Sequence, residues 1–211
     1  MKMSTPFWLY WLDIALAHMQ EALRCRGDAA RVQAAGGQYG EALIGETRAS
    51  MVAAVASAAC IESFAKTVAI RAGGDSAFRG KAARAVLDVL TTAFAIERAV
   101  LEKRLRQLFD DRNSAIHSGE TSSASAPHPL GVETGRANAY FTVERAAGAI
   151  GLAADLLEEC VARAVGGDEP SPAAGLMRAR ASDVDVRVAQ IRECVLQIQG
   201  RAGVTGGADS Q

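Results

Sequence analysis

Three residues in the middle of the chain have types and spacing that suit acid–base chemistry beside an anion. They are Arg112, Asn113 and His117, within LRQLFDDRNSAIHSGE, residues 105–120. An arginine is a permanent cation whose forked donors match a phosphate. A histidine with a free pKa of about 6.5 takes and returns a proton at neutral pH. Asn113 and His117 are four apart, so on a helix they share a face and the amide can orient the imidazole. Arg112 and His117 are five apart, about 140° around a regular helix. They converge on one atom only through a local distortion, or through a second copy of the site facing the first. The same residues also fit a plain alternative, a solvated helix end whose basic side chains the dipole favours.

A helix must position this group, and an acid elsewhere could hold it. At 100° per residue, Glu62 points in the direction of Met51, Val55, Ala58, Ala65 and Ala69, the middle of an apolar face. A buried carboxylate needs a partner or a proton. Glu62 therefore receives Arg112 or the Asn113/His117 pair, makes an ordinary interhelical hydrogen bond, or turns out to water. The remaining candidates carry less. His18 lies beside apolar residues and reads as a core or edge histidine. His128 sits between Pro127 and Pro129 in a polar stretch and suggests no role. Asp110-Asp111 and Glu158-Glu159 are adjacent acids without metal-ligand spacing, so neither a two-metal site nor any cofactor is expected.

The elements follow from composition and punctuation. The 211 residues are 49% hydrophobic but only 5% aromatic, so the core is built from Ala, Val, Leu and Ile, which favours closely packed helices. Net charge is −1, which excludes a broad electrostatic grip on a polyanion. Residues 71–112 nevertheless carry nine Lys/Arg against six Asp/Glu, a local surplus of three. The four cysteines are far apart and have no histidine at ligand spacing, which reads as buried reduced thiols. Phe7, Trp8, Tyr10 and Trp11 crowd together and read as core, with some of them available as a partner surface. The run FWLYWLDIALA is broken by Asp13, and no stretch approaches a membrane span, so a cytoplasmic location without membrane contact is expected.

The five prolines fall at 6, 127, 129, 170 and 172, leaving 7–126 open to helix. Ser4-Thr5-Pro6 predicts a helix start and Gly27 its end, near Arg26. The glycine-rich stretch 27–45 reads as a loop with room for a short helical piece. Helices are predicted over about 46–72, 80–111 and, from a Thr142 cap, to about 165. Residues 118–138 read as an exposed flexible insertion, 166–175 as a linker, 176–199 as a C-terminal helix, and 200–211 as a disordered tail. No β alternation of useful length is present. The expected fold is all-α, an up-and-down four-helix bundle over 1–165 with the extra C-terminal helix.

The segment at 112–117 resembles the R-x(4–6)-H motif of the HEPN superfamily, in which a polar residue follows the arginine as Asn113 follows Arg112. MVAAVASAACIESFAKTVAI resembles that family's alanine-rich second helix, with an acid in its middle, and YFTVERAAGAIGLAADLLEECV its closing helix. The resemblance covers about residues 42–165. It implies a metal-independent endoribonuclease, a toxin or antiphage-defence effector restrained by a partner such as an antitoxin. His117 would be the general base, Arg112 the stabiliser of transition-state charge and Asn113 the orienting group, with Glu62 in support. A homodimer would supply a composite cleft, the substrate being RNA. A non-catalytic module that binds RNA or a nucleotide, or acts as a dimeric scaffold, is the alternative. One departure is clear: where part of the family has a nucleotidylated tyrosine two positions after the histidine, this chain has Gly119.

Overall fold

With proline absent from 7 to 126, the chain uses this freedom for four helices in succession. A computed structural model describes residues 6–74, 82–117, 125–167 and 171–205. The first helices are α1 (Phe7–Ala34), α2 (Gly40–Arg71), α3 (Ala82–Phe94) and α4 (Arg98–His117). A hairpin of β1 (Ser125–His128) and β2 (Val132–Gly135) follows, then α5 (Arg136–Tyr140), α6 (Val143–Gly166), α7 (Pro172–Arg178) and α8 (Ala181–Thr205). The helical class is the one that the composition predicts.

Helix α2 lies among α1, α4 and α6 and supplies the alanine-rich centre of the core. By length and composition it is apolar enough to cross a membrane, contrary to the expectation that no stretch approaches a span. Its apolarity has a local cause, since 61% of its most apolar window is buried against the rest of the fold. Trp8 and Phe94 close on Phe64 of α2, with ring centroids 5.2 and 5.9 Å away. The expected aromatic cluster splits, because Trp8 is fully buried while Phe7 and Tyr10 are exposed. All four cysteines are free and buried.

Several predicted boundaries move, each for a physical reason. Helix α1 runs through Gly27 to Ala34, and α2 begins at Gly40, so most of the predicted 27–45 loop is helix. Close packing explains this: a Cβ on Gly45 would meet Cys25 Sγ at 2.9 Å, so glycine permits the two helices to approach. At the start of α1, Pro6 is the cap residue and its carbonyl accepts from Leu9 N–H; the predicted Ser4 and Thr5 caps lie outside the described residues.

The predicted helix 80–111 is broken at 95–97. Ala95 takes a left-handed φ of 50°, its carbonyl accepts from Arg163 Nη1 of α6 at 3.0 Å, and Ile96 is buried. A tertiary tie and an apolar anchor therefore make the break, without proline or glycine. Within the predicted flexible insertion 118–138, residues 125–135 form the hairpin, turned by Gly131 at φ 73°, and α5 follows.

The predicted linker 166–175 contains most of α7. Ser171 Oγ accepts from Ala174 N–H, Pro172 occupies the first turn, and Leu176 and Met177 are buried. This is the cap-then-proline start sought at residues 4–6. The C-terminal helix consequently begins at Ala181, later than predicted, and its backbone runs to Thr205, past the predicted tail boundary at 200.

Candidate functional site

The last turns of α4 sort their side chains by helical direction. Leu105, Leu108, Phe109, Asp111 and Ala115 are buried. By direction Arg112 falls within that buried face, between Leu101 and Leu105, and its side chain is 27% exposed. Its Nη1 donates to Glu62 Oε2 of α2 at 3.0 Å, and its Cζ lies 5.1 Å from the centroid of the Phe109 ring. Its Nε is buried without a hydrogen-bond partner. Ion pair and ring contact together fix the guanidinium in one orientation. Asn113 and His117 are exposed on the outward side of the helix.

Of the four predicted site residues, the fold thus brings Arg112 and Glu62 together. It keeps Asn113 and His117 on a shared face and leaves Arg112 and His117 apart. Glu62 is not in the middle of the buried face as predicted: its side chain is 38% exposed. The direction taken from Met51 and Val55 misled, since both are only half-buried.

The buried acid of α2 is Glu46, which the sequence reading missed. It lies on the stripe Glu46, Ser50, Ala53, Ser57, Cys60 and Phe64, all buried. The carboxylate accepts from Arg26 Nε at 2.8 Å and Nη2 at 2.6 Å, and from the Val143 N–H at 2.9 Å. His128 Nε2 lies 3.5 Å away, while its Nδ1 accepts from Leu130 N–H at 3.2 Å. Arg26 also bonds Glu144 through both terminal nitrogens. One carboxylate therefore ties α1, α2, the hairpin and the start of α6, where it replaces the Thr142 cap. Burial pushes Glu46 up, but His128 and Arg26 outweigh that and hold it below its ordinary value of 4.5. His128, to which the sequence assigned no role, is 4% exposed.

A second cluster sits on the other side of α4. Asp111 Oδ1 accepts from Arg145 Nε at 2.9 Å and from the Tyr140 hydroxyl at 3.4 Å, while Asp111 Oδ2 is buried without a partner. The Arg145 guanidinium lies over the Tyr140 ring at 4.3 Å and donates to its hydroxyl. The adjacent acids thus have different fates, Asp110 exposed and Asp111 buried and paired. Glu158 and Glu159 likewise pair with arginines, Arg192 for the first and Arg104 and Arg163 for the second. His18 is half-buried in α1. Among the described residues no group of three or more His, Cys, Asp and Glu converges as metal ligands do.

Chemically, the end of α4 offers an exposed imidazole with an amide one turn before it, and a guanidinium braced by a carboxylate around the corner. No protein-family model matches the chain, and no curated protein or solved structure matches it.

Proposed function

We propose that the chain is a metal-independent endoribonuclease of the HEPN type, with α2, α3–α4 and α6 in an up-and-down bundle together with α1. The observation that carries this reading is the state of the motif. Arg112, its side chain 27% exposed, is oriented by Glu62, and Asn113 and His117 stand in solvent at the end of the same helix. In the proposed reaction His117 takes the proton of a ribose 2′-hydroxyl. The 2′-oxygen attacks the adjacent phosphorus, and the P–O5′ bond breaks. The leaving 5′-oxygen receives a proton from the imidazolium, giving a 2′,3′-cyclic phosphate and a 5′-hydroxyl. Arg112 neutralises charge on the phosphorane-like transition state, and Asn113 orients the imidazole. The need for a 2′-hydroxyl makes RNA the substrate.

Because Arg112 and His117 point about 140° apart, the proposed cleft is composite: two copies face each other across a two-fold axis, each giving one residue to a site. A cytoplasmic toxin or antiphage-defence effector, restrained by an antitoxin or defence-system partner, is the setting this activity fits. With Gly119 two positions after His117, silencing by nucleotidylation has no tyrosine acceptor there. The second reading is a non-catalytic RNA- or nucleotide-binding or scaffold module. It is favoured by the engagement of Arg112 with Glu62, which a purely structural pair would also show. Cleavage of RNA by the wild type and not by His117→Ala separates the two.

A further inference from the structure

The face of α4 that ends in His117 also lines a groove. Between α3 and α4 runs an open channel of about 340 Å³ with Arg84 on one wall and Arg98, Arg106 and Asn113 on the other. Its floor is Leu105 and Phe109, both buried. At 100° per residue, and counting from Arg98, Arg106 lies at about 80°, Asn113 at about 60° and His117 at about 100°. The four lie within one sector of the helix about 100° wide, with Glu102 at about 40° inside it and Asp110 at about 120° beside it. From Arg98 to His117 the sector extends about 28 Å at 1.5 Å per residue. The groove therefore points along the helix to the exposed imidazole, one turn beyond Asn113.

The rim is arginine-rich in a chain whose net charge is −1. Arg84, Arg98 and Arg106 are all exposed. Arg98 pairs with Asp88 at 2.9 Å and Arg106 with Glu102 at 3.3 Å, in both cases between side chains more than half exposed. Such pairs are worth little and exchange readily for another anion. Glu102 and Asp110 also face the groove. Its attraction is therefore one of placed contacts, not of a broad positive field.

We propose that this groove is the track of a single-stranded RNA, its phosphates seated on Arg84, Arg98 and Arg106 and its course delivering a ribose to His117. The assignment rests on the ribonuclease reading for its choice of polyanion. A single strand suits a channel between two adjacent helices whose floor is apolar. Guanidinium forks on the two walls of one groove bind a backbone without reading its bases, so binding is tolerant of sequence.

The test uses the full chain and a short fluorescent 2′-O-methyl oligouridylate, which cannot be cleaved. Affinity is measured over a series of salt concentrations for the wild type, for R84Q/R98Q/R106Q, and for R178Q on α7 as a control. Helicity is checked for each. The triple variant is expected to bind at least about tenfold more weakly and to lose about 2 from the slope of log K against log salt, about 0.7 per phosphate contact. R178Q is expected to match the wild type. A triple variant with unchanged affinity and slope overturns the groove, as does a wild type that does not bind the strand. Cleavage of unmodified RNA is followed in parallel. Binding lost in the triple variant, with no cleavage by any form, keeps the groove and removes the nuclease. Cleavage by the wild type, with the triple variant's binding unchanged, does the reverse.

Discussion

At the scale of single residues, the site and the framework use charge in opposite ways. His117 is exposed and makes no part of the core, so His117→Ala is expected to shift stability by no more than about 0.5 kcal/mol. The same variant is expected to reduce RNA cleavage at least about 100-fold, measured on a protein of unchanged helicity. Glu46 is the converse. Removing it leaves Arg26, whose side chain is only 12% exposed, with Glu144 alone, and Glu46→Ala is expected to cost about 3–5 kcal/mol in chemical denaturation. The pH dependence has a definite sign. Glu46 and Glu144 are both held below the ordinary 4.5, so the unfolded chain takes up protons first as pH falls. Their stabilisation is complete above pH 4.5 and is lost as pH drops from there through the folded values. Denaturation at neutral pH and at successive steps below 4.5 is expected to show this decline, and Glu46→Gln to flatten it. A variant that declines as steeply as the wild type would remove Glu46 from this role.

At the scale of elements, what was legible depended on whether the signal lay within one segment. The helical class, the buried cysteines and the end of α2 near Gly73 come from composition and local punctuation. The stop at Gly27 failed because α1 continues through it while packed along α2, with Gly45 rather than Gly27 at the tight contact on Cys25, and the break at Ala95 was invisible because its cause is Arg163 on another helix. The position of the buried acid was legible in principle. Applied to the stripe 46, 50, 53, 57, 60 and 64, the same 100° arithmetic finds Glu46. The role of His128 was not, since it depends on a hairpin folding back 82 positions onto α2. Two substitutions test these element-level causes by thermal unfolding. Ala95→Gly, at φ 50°, is expected to stabilise by about 1 kcal/mol because glycine takes that conformation without strain. Gly45→Ala is expected to destabilise by about 1–3 kcal/mol, because the new Cβ meets Cys25 Sγ at 2.9 Å.

At the scale of the whole molecule, the proposed chemistry needs two copies. Arg112 is turned to α2 and His117 away from it, so the two stand on different sides of α4, and in the proposed reaction one chain supplies half of each site. Mixing Arg112→Ala with His117→Ala is expected to restore about a quarter of wild-type cleavage, because half the random dimers are mixed and each holds one intact site. Two residues acting within one chain would give no recovery. The most direct test of the central claim is incubation of wild type and His117→Ala with mixed cellular RNA in excess EDTA, followed by analysis of the new ends. The account predicts cleavage by the wild type alone, leaving 2′,3′-cyclic phosphates and 5′-hydroxyls. Cleavage that EDTA abolishes, or that His117→Ala carries out equally well, would contradict it.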